Sequence, residues 1–184
     1  MQDLVDQTDD SVVLTVKERR RQHIAHVLLD IAIFVIIFCA VLLFFRHYKF
    51  PQISGESMFP TLHDGDHVIA EVATDADIGD IIVMWNDKLD EYIVKRVVGI
   101  AGDHIVIDNG KLYRNGTYAY ESYIAEQDWG ESGIVYDVVV PANCIFVLGD
   151  NRNESTDSRA LGPISCNDIH MKVISNASWV HKFG

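Results

Sequence analysis

The chain has 184 residues, enough for one domain with a real core plus attachments, and a formal net charge of −12. The charge is uneven: residues 1–50 hold six acids and six bases, whereas residues 51–184 hold 21 acids against nine bases. So acidic a body lacks the basic face that nucleic-acid binding needs, and three cysteines without a CxxC pair make no disulfide framework or metal site.

The first 23 residues are polar, acidic at first (Asp3, Asp6, Asp9, Asp10) and then basic at Lys17 and Arg19 to Arg21. From Ile24 to Phe45 the chain is apolar except for His26 and Asp30. Its unbroken part, Ile31 to Phe45, has 15 residues. Val27 to Leu29 extend it to the roughly 20 that cross a bilayer. Asp30 is costly in lipid but lies near the amino end, where it can approach the interface or meet a partner. The long polar leader and the lack of an A-x-A site after the run favour an uncleaved anchor over a removable signal peptide. The basic cluster precedes the anchor, so residues 1–23 are expected as a cytoplasmic tail, 24–45 as the transmembrane anchor and 46–184 as an extracytoplasmic domain. Arg46 and Lys49 on the far side weaken that orientation without reversing it.

Ser54 to Leu62 comes next. Gly55 lets the backbone turn where a Cβ would obstruct it, and Pro60 restricts φ three residues after Ser57. A serine held on so short a segment is a nucleophile if a base takes its proton. Taken alone, the same residues also describe a turn whose serine bonds its own backbone. The G-x-S-x-G elbow is absent because position 59 is Phe. His63-Asp64-Gly65-Asp66-His67 resembles a metal cluster only superficially, and a glycine-centred turn opening a strand explains it better.

The body beyond the anchor reads as β throughout. His67 to Val72, Asp80 to Trp85, Glu91 to Ile100, Ile105 to Ile107, Tyr136 to Val140 and Ile145 to Leu148 are short, β-branched-rich runs. Asp64-Gly65, Gly79-Asp80, Gly102-Asp103, Asn109-Gly110 and Asn115-Gly116 separate them with turn chemistry. The fold class expected is mainly β: an open-barrel or sandwich-like body of short antiparallel strands, preceded by one transmembrane helix. Residues 108–135, more polar and aromatic, are expected as an inserted hairpin or small subdomain. Cys144 and Cys166 either pair outside the cell or stand as two buried free thiols.

Lys95 lies inside one of these runs. Strand alternation puts Ile93, Lys95 and Val97 on one face. An ammonium desolvated between β-branched neighbours loses its proton more easily and becomes a competent base near neutral pH. A lysine at a strand edge, snorkelling to solvent, is the other reading. Further on, Gly149 to Arg159 is dense in hydrogen-bonding groups and opposed charges. Asp157 and Arg159 can pair there, and Ser155 or Ser158 can orient an amine; composition alone also fits a solvated loop.

Four blocks in this order resemble bacterial type I signal peptidases: Ser54 to Leu62, Gly79 to Val83, Lys95 to Asp103 and Gly149 to Arg159. With the anchor ahead of them, the resemblance covers roughly residues 24–165, and the KRVVGxxGD and GDNRxxSxDSR blocks are highly specific in combination. It implies that Ser57 is the nucleophile and Lys95 the general base of a Ser–Lys dyad. Ser155 stands where the family has a serine that hydrogen-bonds the lysine, and Asp157 with Arg159 where it has a structural ion pair. Ile53, Gly55, Met58, Leu62, Ile93 and Val94 fall at the substrate pocket. Some members carry a serine two residues before the nucleophile, whose hydroxyl helps stabilise the oxyanion. Here Gly55 occupies that position, with Ser54 one residue further away. The oxyanion hole then rests on the Ser57 N–H and a second donor the sequence does not identify.

The function implied is that of a membrane-bound serine endopeptidase. It would cleave signal peptides from exported preproteins after small residues, at A-x-A-type sites, through an acyl-enzyme and with no metal or cofactor. The implied partners are signal-peptide-bearing preproteins, membrane lipid and the secretion machinery, with no nucleic acid. The single anchor looks like the Gram-positive form, and Lys95, where eukaryotic and archaeal relatives use histidine, like the bacterial branch. Three alternatives stand beside it. A peptidase dedicated to pilin or one exported substrate and a catalytically silent tethered binding module are two of them. The third, an autocleaving Ser–Lys repressor-type protease, needs a soluble DNA-binding part that the apolar span and acidic body argue against.

Overall fold

The computed structural model describes residues 2–124, 129 and 134–176 and divides the chain into two compact units, Met1–Arg46 and His47–Gly184. The first is a helix, α1 (Gln2–His47). It is continuous across residue 24, so what changes between the polar leader and the apolar run is composition and not backbone. Glu18–His47 is long and apolar enough to cross a membrane, with a mean hydropathy of 3.2 in its apolar window. Phe34 and Ile36 are 69% and 67% exposed, side chains that water would not hold on a surface of this length.

The second unit is built from antiparallel strands. In chain order they are β1 (Tyr48–Lys49), β2 (Val68–Val72), β3 (Ile81–Asn86), β4 (Glu91–Ile100), β5 (His104–Asp108) and β6 (Lys111–Arg114). β7 (Thr117–Tyr118), β8 (Ile134–Val139), β9 (Cys144–Leu148), β10 (Ile164–Ser165) and β11 (Ile169–Asn176) follow. One sheet of seven strands runs β1-β2-β11-β3-β4-β9-β10, and a sheet of four runs β7-β6-β5-β8. The mainly-β expectation is borne out. The expected strands form with small shifts at their ends, Glu91–Ile100 without any. β11 was not anticipated, although it lies between β2 and β3 and pairs with both.

The four-stranded sheet takes in the polar, aromatic stretch expected as an inserted hairpin or small subdomain. Of the two expected forms, a hairpin or a small subdomain, it is more than a hairpin, since β5 and β8 belong to it and pair from His104↔Val139 to Asp108↔Ile134. Positions 125–128 and 130–133 of that stretch lie outside the described residues. Val98, Phe146 and Leu148 from the larger sheet meet Ile105, Ile107, Leu112 and Trp129 in one apolar cluster. Gly99 permits that contact, since a Cβ there would come within 2.7 Å of Ile105 Cδ1. Cys144 and Cys166 are free thiols and are half-buried rather than buried, close to the β9–β10 pairing of Ser165 with Cys144. The His63–His67 segment is a turn in which Gly65 adopts φ +83°.

Two further clusters carry the site. Ile82, Met84, Ile93, Val97, Ile145 and Val147 pack on one side of β3, β4 and β9. Ile53, Met58, Leu62 and Val68 pack with Ile81, Val94 and Val173.

Candidate active site

Three segments far apart in sequence converge on one cleft of about 540 Å³: residues 51–58, residues 91–95 of β4, and Glu154 with Thr156. The first is a turn pinned at both ends. Gly55, at φ +83°, donates its N–H to Asp64 Oδ1 at 2.8 Å, and Leu62 N–H closes on the Met58 carbonyl at 2.9 Å. Met58 and Leu62, 1% and 2% exposed, bury their side chains beneath it. Ser57 therefore stands on a short arch whose footing is apolar core.

Lys95 meets it from β4. β9 pairs with β4 only from Arg96↔Leu148 onward, so residues 91–95 have β3 on one side and an open edge on the other. Lys95 Nζ lies 2.8 Å from Ser57 Oγ and donates to the Val94 carbonyl at 2.9 Å. The side chain is 4% exposed and has no carboxylate in contact among the described residues. Burial pulls its pKa down to about 8, against the raising pull of Asp157 and Glu91. At pH 7 such a lysine is neutral in about one molecule in ten, against fewer than one in a thousand at the ordinary value.

The loop after β9 holds the arch from outside. Asn151 donates its backbone N–H to the Ser57 carbonyl and its side-chain Nδ2 to the Glu56 carbonyl, both at 3.1 Å. Asp150 accepts from Thr61 Oγ1 at 2.5 Å and takes both arms of Arg96, at 2.8 and 2.6 Å. Asp157 caps Gly149 N–H at 3.0 Å and is gripped by Arg159 through Nε and Nη2, each at 2.8 Å. Arg152, 1% exposed, bonds Glu121 at 2.5 Å and lies over the Trp129 ring, 4.5 Å from its centroid. Ser158 Oγ accepts from Val147 N–H at 2.9 Å, which makes it part of the loop's frame.

Comparison with known proteins gives the family of the chain. A family model described as "Signal peptidase, peptidase S26" matches residues 24–178. The chain belongs to this family. It is 36% identical to signal peptidase I U of Bacillus subtilis over 85% of its own length and 88% of the relative's. It is 39% identical to a signal peptidase I of Bacillus caldolyticus over 66% of its own length and 74% of the relative's. A crystal structure of a signal peptidase I from Enterococcus faecalis superposes with a TM-score of 0.46 at 26% identity, covering 52% of this chain and 93% of that one. This signal peptidase is accordingly a serine peptidase with an amino-terminal helix suited to a membrane.

The residues anticipated for the peptidase's site do not all lie where the motifs suggested. Ile53, Gly55, Met58, Ile93 and Val94 line the cleft beside Ser57 and Lys95. Leu62 does not: it points into the core under the arch. Ser155 Oγ makes no bond to Lys95; it is buried and has no hydrogen-bond partner among the described residues. It packs instead on Gly149, where a Cβ would come within 2.3 Å of Ser155 Oγ and 2.5 Å of the Ser57 carbonyl oxygen. The Arg96–Asp150–Thr61 link and the Glu121–Arg152 pair carry much of the support and were not singled out. Their signal was present in an Arg and an Asp within the two most specific blocks, but nothing in linear spacing says which charges meet.

Proposed function

We propose that this signal peptidase cleaves exported preproteins by a Ser–Lys dyad, with Ser57 as nucleophile and Lys95 as general base. The observation that carries the reading is the 2.8 Å approach of a buried, carboxylate-free Lys95 Nζ to Ser57 Oγ. A neutral amine has a lone pair and two N–H groups. The lone pair takes the Ser57 proton, and one N–H stays on the Val94 carbonyl.

The open edge of β4 at residues 91–95 accepts an extended substrate, whose backbone supplies affinity while alternate side chains enter the cleft. Ile53, Met58, Ile93 and Val94 leave room there for alanine-sized groups before the cut. Ser57 Oγ then attacks the carbonyl, Lys95 hands its new proton to the leaving amine, and water activated by the same amine releases the acyl-enzyme. No step calls for a metal or cofactor. The basic residues Arg19 to Arg21 favour a cytoplasmic amino terminus and a body outside, next to membrane lipid and the secretion machinery, where signal peptides emerge.

The test is incubation of purified enzyme with several preproteins and sequencing of the new amino termini. Cuts after small residues at A-x-A-type sites, lost in Ser57→Ala and Lys95→Ala, are expected. Cleavage that persists in either variant overturns the dyad. Cleavage of one preprotein alone replaces the general reading with that of a dedicated peptidase.

A further inference from the structure

Gly55 leaves the arch without the hydroxyl that some relatives direct at the oxyanion, so the Ser57 N–H has more to do here. The structure contains a device that aims it. The Glu56–Ser57 peptide is a planar unit in which the Glu56 C=O and the Ser57 N–H point in opposite directions. Whatever holds the carbonyl therefore sets the direction of the N–H. The Glu56 carbonyl accepts from Asn151 Nδ2 at 3.1 Å and also from Phe59 N–H at 3.0 Å. The next carbonyl, that of Ser57, accepts from the Asn151 backbone N–H. The Ser57 N–H itself has no partner among the described residues.

We propose that the Asn151 side chain is a positioning residue for the transition state. By holding the Glu56 carbonyl, it turns the opposite end of that peptide, the Ser57 N–H, toward the oxygen that becomes negative when Ser57 attacks. This rests on the reading of Ser57 as nucleophile.

Several features make Asn151 rigid enough for the task. It is 8% exposed. Its neighbour Asp150 is locked by Arg96 and Thr61, and Arg152 on its other side is locked by Glu121. A donor on the carbonyl also polarises the peptide, which strengthens the N–H as a donor at its far end. Substrate binding uses the β4 edge and the cleft walls, so the Asn151 amide matters little until charge develops on the oxygen.

Asn151→Ala in the full-length enzyme tests this, because it removes the amide and keeps the backbone N–H that bonds Ser57. The expected result is a fall in kcat of roughly 10- to 100-fold, with KM for a preprotein within about twofold. Affinity for a peptide aldehyde ending in alanine, which adds to Ser57 as a tetrahedral mimic, should fall in the same proportion. The acidic limb of the kcat/KM profile should stay in place. Asn151→Asp, isosteric but unable to donate, should lose at least as much, and it carries the comparison if the alanine variant fails to fold. Unchanged aldehyde affinity, or a limb that moves with the Lys95 proton, overturns the proposal. Ser57→Ala measured alongside separates the two ideas. If it still cleaves, the nucleophile reading fails and takes this inference with it. If it is dead while Asn151→Ala is fully active, only this inference falls.

Discussion

Two buried cations in the same body are treated in opposite ways. Arg152, beneath the loop, is given a carboxylate, Glu121, and an aromatic face, Trp129. Lys95, in the cleft, is given a hydroxyl and a carbonyl. Arginine does not deprotonate in this range, so leaving its charge unpaired would cost several kcal/mol, and the fold pairs it. Lysine has a neutral form to retreat to, and burial without a counter-ion moves it there. The difference explains how one acidic body of 21 acids keeps a free amine ready. Three buried carboxylates, Glu121, Asp150 and Asp157, are held by arginines, and Asp157 and Glu91 act on Lys95 only at a distance.

The comparison breaks most sharply at the dyad. Ser57→Ala and Lys95→Ala should each lower kcat/KM by about 10³-fold or more, and the double variant should be scarcely worse, because the two act as a unit. Lys95→Arg should be as inactive as Lys95→Ala, since a guanidinium offers no lone pair. A steady-state assay on one preprotein checks all four; near-normal turnover in Lys95→Arg would mean that the base lies elsewhere.

On the other side, Glu121→Ala strands Arg152 as a buried charge. A loss of about 3–5 kcal/mol in urea unfolding is expected. Restoring an apolar pair with Glu121→Leu and Arg152→Met should recover much of it.

A smaller effect comes from emptying the cleft of its amine. The depressed pKa means that the fold disfavours the Lys95 ammonium relative to the unfolded chain. That penalty is absent above about 10.5, grows as pH falls toward about 8, and is constant below. Its full size corresponds to roughly 3 kcal/mol, by 1.36 kcal/mol per pH unit. Lys95→Met should therefore be the more stable protein at neutral pH, with the gain fading as pH rises through that window. Unfolding at pH 7 and at pH 10.5 compares the two. Stabilisation that did not depend on pH would come from packing and not from the charge.

The smallest change sharpens the same point. In the wild-type enzyme, kcat/KM should rise with pH about a midpoint near 8. Glu91 raises that pKa from an exposed position, so Glu91→Gln should move the midpoint slightly down and raise activity on the acidic side. A midpoint that moved up would remove Glu91 from the account.

Much of this was legible in the chain. Gly55, Pro60 and the β-branched run around Lys95 left a constrained serine and a desolvated amine open beside a plain turn and a strand-edge lysine, and the four blocks together decided between them. β4 was readable to its ends since its alternation is long and its flanking turns are strong. β11 was not, because His170, Met171 and Lys172 dilute the alternation and its neighbours are about 100 residues earlier in the chain. The cleft walls divided along the same line. Ile53 and Val94 lie next to Ser57 and Lys95 in the chain and share their surroundings, whereas Leu62 follows Ser57 by one turn and so points under the arch. The loop's internal partners depend on folding in three dimensions. Asp157 with Arg159 is a local pair and was foreseen; Glu121 with Arg152 spans 31 positions and was not.

β11 has a consequence for the order in which the enzyme is made. Within the larger sheet it joins β1–β2, which flank the Ser57 arch in the chain, to β3–β4, of which β4 carries Lys95. It is also the strand a ribosome produces last among the eleven, at residues 169–176. While the chain is still growing, the serine and the lysine are both present but no sheet aligns them. The membrane helix has by then long been complete. Strand order alone therefore puts the joining of the two halves of the larger sheet after residues 169–176 have been made.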